Sequence, residues 1–137
     1  MEIEQKMKRC LEKEVGELQA FRVLWDINYP ILLSFKSSGK SWLIYVTEFR
    51  YFSPRVEVVL SRADDETIEE MLSGKKPIRE ALTEYPNTLN QWTMDLEDGN
   101  MQLVDATDAD ILELLPGTRF LLSPDIPNCI DVKRDLA

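Results

Sequence analysis

The sequence contains no histidine and only two cysteines, Cys10 and Cys129. Histidine is the commonest general base and the commonest zinc ligand, so its absence argues against a zinc site and against the usual acid–base catalysis. Secreted domains that depend on disulfides normally carry more cysteines at closer spacing, so we expect two free thiols. From these residue types we expect no catalytic residue, no metal and no cofactor.

Cys10 follows two cations, Lys8 and Arg9, which favour a lowered thiol pKa. A reactive cysteine also needs a partner base, and the chain offers no histidine for that role. We therefore interpret Cys10 as a half-buried structural residue of a helix.

Long apolar runs are also missing. None approaches the roughly 20 residues that span a bilayer, and residues 1–17 are charged throughout, unlike a signal peptide. The chain is therefore predicted to be cytoplasmic, without membrane contact. Its 137 residues suit one domain, which we place at residues 1–123, and residues 124–137 are predicted to form a loosely ordered tail.

The net charge of -9 is unevenly distributed. Residues 1–50 carry 8 basic and 7 acidic side chains, whereas residues 51–137 carry 8 basic and 18 acidic ones. An acidic surface repels phosphate backbones, so nucleic acid is not expected as a partner. A basic protein surface suits the later part of the chain better.

The periodicity of apolar residues predicts an α+β fold, with an antiparallel sheet of about five to seven strands and helices packed against it. An amphipathic helix is predicted at about residues 2–15. Two continuous apolar runs predict central strands that are covered on both faces, at 31–35 and 42–46. Other strands are predicted at 18–24, 55–60, 88–96, 101–104 and 119–122, and short helices at 64–74, 77–82 and 107–115.

The sequence SFKSSGKSW contains Gly39-Lys40-Ser41, which is the ending of a nucleotide-binding phosphate loop. Such a loop requires a glycine five residues before Gly39, where this chain has Ser34, and it leads into a helix. The residues after Ser41 are Trp-Leu-Ile-Tyr-Val, which favour a strand. We therefore predict a hairpin turn with Lys40 exposed.

Two acidic clusters invite a chemical interpretation. The segment DLEDGN at residues 95–100 is similar to a calcium loop, but glycine falls at position five and Ala106 at position twelve, where an EF-hand requires position six and a glutamate. A solvated hairpin tip is the better interpretation. The carboxylates at 64–70 are expected at the start and outer face of a helix, rather than as a glycosidase pair.

A run of seven carboxylates without any lysine or arginine is the candidate partner-binding surface: Asp95, Glu97, Asp98, Asp105, Asp108, Asp110 and Glu113. The alternative is that these residues are only solvated, at a hairpin tip and a helix N-terminus.

Six aromatic residues could line a ligand cleft: Trp25, Trp42, Trp92, Tyr29, Tyr45 and Tyr51. Aromatic residues in strands more often pack in a core, so we predict packing for this set and deep burial for Trp42 and Ile44.

The segments YPILLSFKSSGKSWLIYV and ETIEEMLSGKKPIREAL resemble those of an uncharacterised bacterial family of small α+β domains. The similarity covers about two-thirds of the chain and implies a fold, without an activity. We expect a small non-enzymatic cytoplasmic domain of a bacterium or phage that binds another protein or itself. The alternatives are a small-ligand-binding domain or enzyme with an aromatic-lined site, and nucleic-acid mimicry by the acidic half.

Overall fold

The computed structural model describes residues 2–50 and 52–122. In chain order its helices and strands are α1 (Ile3–Val15), β1 (Gln19–Ile27), β2 (Tyr29–Ser37), β3 (Lys40–Arg50), β4 (Arg55–Arg62), α2 (Asp65–Leu72), α3 (Ile78–Leu82), β5 (Asn90–Asp95), β6 (Asn100–Leu103) and α4 (Asp108–Leu114). One turn of 3₁₀ helix, Pro86–Thr88, precedes β5. The predicted tail at 124–137 lies outside the described residues.

The six strands form one antiparallel sheet in the order β1-β2-β3-β4-β5-β6. Each strand pairs with its neighbour in the chain, and α2 and α3 lie in the connection between β4 and β5. The predicted α+β class and strand number are therefore confirmed.

Both faces of the sheet are covered, because successive side chains of a strand point to opposite sides. On one face, α2, α3 and α4 bury a core that contains Leu43 and Val59. On the other face, α1 buries a second core that contains Ile44 and Val58. The continuous apolar runs of β2 and β3 thus have the two-sided burial that the sequence predicts.

Two strand predictions differ from the structure. β1 continues to Ile27, past the predicted end of this strand at residue 24, because Asn28 alone makes the turn with a positive φ of 64° and Ile27 pairs directly with Tyr29. The strand predicted at 119–122 is wrong, since only Leu122 forms an isolated bridge. Phe120 is buried there, and its carbonyl oxygen accepts a hydrogen bond from the backbone N–H of Ile78 at 3.1 Å.

Helix α4, the last one among the described residues, is held at both ends. The Thr107 hydroxyl and the Asp110 carboxylate form a reciprocal capping box at its N-terminus. At its C-terminal end, the Arg79 guanidinium of α3 donates hydrogen bonds to the carbonyl oxygens of Leu112, at 3.0 Å, and Pro116, at 3.3 Å. Arg79 therefore adds side-chain donors at the C-terminal end of the helix, where the carbonyl oxygen of Leu112 accepts one backbone N–H, that of Leu115 at 3.3 Å.

Candidate binding groove

The motif Gly39-Lys40-Ser41 forms a hairpin turn. Ser37 pairs with Lys40 across a two-residue loop, and Ser38 and Gly39 have positive φ angles of 54° and 77°. Two positive φ angles at the central positions are typical of the type I′ turns that connect tightly paired strands. Lys40 is exposed, so the structure confirms the predicted turn.

The segment DLEDGN forms the β5–β6 hairpin loop. A carboxylate oxygen of Asp95 accepts hydrogen bonds from the backbone N–H groups of Glu97, at 3.0 Å, and Asp98, at 3.1 Å. Within the described residues, no group of three or more carboxylate or thiol side chains is arranged to hold a metal ion. The Asp95 carboxylate here organises a turn.

The seven candidate carboxylates fall into two groups along the chain. Asp95, Glu97 and Asp98 lie in the hairpin that precedes β6. The Arg9 side chain of α1 lies beside this hairpin, 3.6 Å from the point that a Cβ would occupy if Gly99 had one. The other four follow β6, in and before α4: Asp105, Asp108, Asp110 and Glu113. Asp110 belongs to the capping box of α4, so this one of the seven carboxylates has a structural role.

Two acidic residues of α2, Asp65 and Glu69, form exposed ion pairs with the sheet. Asp65 accepts hydrogen bonds from the Lys36 ammonium at 2.8 Å and from the Ser41 hydroxyl, and Glu69 lies 3.4 Å from the Arg22 guanidinium. The Lys36 hydrogen bond is the main reason that the pKa of Asp65 lies below its usual value. These contacts fasten α2 to β1 and β2.

A carboxylate pair on β3 and β4 has no signal in the sequence. Glu48 and Glu57 face each other across the two strands, and the hydrogen bond that protonated Glu57 donates to the Glu48 carboxylate raises the pKa of Glu57. Hydrogen bonds from Arg50 and then from Glu57 lower the pKa of Glu48. Because their separation along the chain is nine residues and β3 contains a bulge between Val46 and Glu48, this pairing depends on strand register.

Cys10 is fully buried rather than half-buried. Burial, followed by the nearby charge of Asp95, raises the pKa of the Cys10 thiol to about 11, although Arg9 acts in the opposite direction. Desolvation thus outweighs the effect of the neighbouring cations, which favour a lowered pKa. Cys10 is a free thiol, whereas Cys129 lies outside the described residues.

A groove opens on the α1 face of the sheet, at the end that carries the Ser38–Gly39 turn. Helix α1 contacts β2, β5 and β6, and its Lys13 ammonium donates a hydrogen bond to the side-chain oxygen of Asn100 at the other end of the sheet. Its last residue, Val15, borders the part of this face that opens as the groove. Trp42 and Trp92 lie there, half-buried.

The groove has a volume of about 420 Å³. Trp42 on β3 and Trp92 on β5 lie on either side of Leu60 on β4, and Phe35 on β2 extends the apolar floor. The remaining lining side chains are Val15, Ser37, Ser38, Lys40, Thr88 and Asn90. Lys40 is the only charged residue among them.

Two features of the groove could not be predicted from the sequence. Trp42 is half-buried, so the prediction of its deep burial is wrong, whereas Ile44 is fully buried as predicted. The indole nitrogen of Trp92 is buried and has no hydrogen-bond partner within the described residues. An unpaired buried donor of this kind costs about 1–3 kcal/mol of folding free energy.

The other aromatic residues differ in their surroundings. Trp25 is buried in the opposite core, with its ring centroid 6.4 Å from that of Phe120. Tyr29 stacks on Phe49 with a centroid distance of 4.9 Å, at the other end of the sheet from the groove. Tyr45 is half-buried against the first core, and Tyr51 lies outside the described residues.

Comparisons with protein-family models, with curated proteins and with solved structures find no match to this chain. The resemblance to a bacterial family of small α+β domains thus stays a prediction. Across residues 2–50 and 52–122, no helix combines the length and the apolar composition needed to cross a membrane.

Proposed function

We propose that this chain is a small, non-enzymatic, cytoplasmic protein-interaction domain that binds another protein, or a second copy of itself, in the groove between Trp42 and Trp92. The observation that carries the proposal is the pair of half-buried indoles on a rigid sheet, just beyond the end of α1. Tryptophan is strongly enriched among the residues that dominate the free energy of protein association.

The lining of the groove suits contact better than proton transfer. Apart from Lys40 its side chains are apolar or carry neutral hydroxyl and amide groups. A volume of about 420 Å³ accommodates one or two large side chains of a partner. It also lies at the lower end of the range of small-molecule sites, roughly 300–1,000 Å³, which keeps a small ligand as the alternative occupant.

Affinity purification of the tagged chain from its native cells, followed by measurement of native mass, tests the proposal. We expect a stoichiometric protein partner or a dimer whose formation is weakened at least about tenfold by Trp92→Ala. Phe52→Ala is the matched control, because Phe52 is a fully exposed aromatic residue in the β3–β4 turn, at the opposite end of the sheet.

A partner that binds Trp92→Ala and the parent chain equally would show that the groove is not the docking site. A monomer that copurifies only with a small molecule would favour the alternative of a ligand-binding domain.

The second candidate site is the carboxylate group in and before α4. Asp105, Asp108, Asp110 and Glu113 are all exposed, so together they create a negative electric field at this surface. Such a field steers a basic protein surface towards the chain and raises the rate of association more than the final affinity. This acidic surface would bind a positively charged partner, and such binding does not involve the groove.

A further inference from the structure

The charge around the groove differs from that of the rest of the molecule. The chain carries a net charge of -9, yet none of the ten side chains that line the groove is a carboxylate, and Lys40 supplies a positive charge. The acids closest to Val15 in sequence are Glu14, in α1, and Glu17, after the helix, and neither lines the groove.

Arg62 adds a second cation close to this end of the sheet. It is the register partner of Trp42 on β4, and its guanidinium lies 4.6 Å from the centre of the Tyr85 ring. Arg62 stacks on Tyr85 and is not part of the groove lining. Lys40 is exposed, and no carboxylate lines the groove beside it.

Trp92 lines the groove, and its indole N–H is buried without a partner among the described residues, so it becomes a donor to an occupant only when the ring turns. Because a buried donor without a partner is unfavourable, a ligand that brings an acceptor oxygen gains free energy when the indole turns to meet it. The ammonium of Lys40 and this N–H together favour an occupant that carries oxygen acceptors and negative charge.

We propose that the occupant of the groove is a peptide segment of a partner protein that places a large apolar side chain between Trp42 and Trp92, with an aspartate or glutamate one or two residues away that pairs with Lys40. The inference rests on the proposed function and specifies the chemistry of the partner at that site. The apolar side chain supplies most of the affinity, and the carboxylate supplies selectivity.

Selection of random peptides displayed on phage, with the tagged full chain as bait, tests this inference. We expect the recovered peptides to share an aromatic or large aliphatic residue with an acidic neighbour. Substitution of that acid by asparagine in a synthetic peptide should weaken binding about three- to fivefold, and Lys40→Glu in the bait should weaken it about tenfold.

Lys75→Glu is the matched control for Lys40→Glu. It changes the net charge by the same amount, but Lys75 is exposed in the α2–α3 connection, away from the groove lining. We expect binding of the selected peptides to change less than twofold in this variant.

Three results would overturn the inference in distinguishable ways. Apolar peptides without an acidic preference, lost in Trp92→Ala, would contradict the partner chemistry and leave the proposed docking site intact. Peptides that bind Trp92→Ala normally, or the recovery of no peptide at all, would contradict both. Equal weakening by Lys75→Glu and Lys40→Glu would assign the charge effect to the whole molecule rather than to the groove.

Discussion

At the scale of single residues, we expect Lys40 to contribute to partner binding but little to the stability of the fold. It is exposed in a tight turn and pairs with Ser37 only through the backbone ladder, so Lys40→Ala should change the free energy of unfolding by less than about 0.5 kcal/mol. Urea denaturation checks this value. Calorimetric titration with ATP should show no binding, and millimolar or tighter ATP binding that disappears in Lys40→Ala would contradict the turn assignment.

Cys10 provides a second residue-scale prediction. With a thiol pKa of about 11, only about one molecule in a thousand carries the thiolate at pH 8, and the side chain is fully buried. In a Cys129→Ser background, Cys10 should react with a disulfide reagent at least about 100-fold more slowly in the native chain than in urea. Equal rates would contradict the burial.

The raised thiol pKa also gives this contribution to stability a defined dependence on pH. The unfolded thiol ionises near its ordinary pKa of 9.0 and the folded one near 11, so the contribution is complete below pH 9 and is lost as pH rises to about 11. Cys10→Ala should reduce this loss in urea denaturation measured from pH 8 to 11.

At the scale of elements, Arg79 fastens α3 to the end of α4. Arg79→Met keeps the aliphatic stem but removes the hydrogen bonds to Leu112 of α4 and to Pro116 just after it, so we expect it to lower the free energy of unfolding by about 1.5–3 kcal/mol. Lys75→Met, at an exposed position of the preceding connection, should change it by less than about 0.5 kcal/mol. Similar denaturation midpoints for these two variants would contradict the role of Arg79.

Local patterns predicted most elements because the signals lie within each segment. The apolar stripe and Gly16 gave α1, and the two-sided apolar runs gave β2 and β3. The groove depends instead on where α1 lies across the sheet, and its contacts there are with β2, β5 and β6, which are remote from it in sequence. Trp42 and Trp92 could be named as candidates, but whether α1 covers them is decided only when helix and sheet are assembled.

At the scale of the whole molecule, the acidic half provides a kinetic prediction. If the partner is basic, reversal of Asp98, Asp105 and Asp108 to lysine should lower the association rate more than it raises the dissociation rate, most clearly at low salt. Stopped-flow or surface-based kinetics at two ionic strengths measure both rates. Unchanged association at low salt would remove these carboxylates as a docking surface.

The central claim is that the groove between Trp42 and Trp92 is the docking site, and the three tryptophan side chains report on it separately. In a ¹H–¹⁵N correlation spectrum, addition of the copurified partner should shift the indole signals of Trp42 and Trp92, while that of Trp25, which is 3% exposed in the opposite core, stays in place. If instead the backbone signals of Asp98, Asp105 and Asp108 shift and the Trp42 and Trp92 indoles do not, the groove is not the docking site.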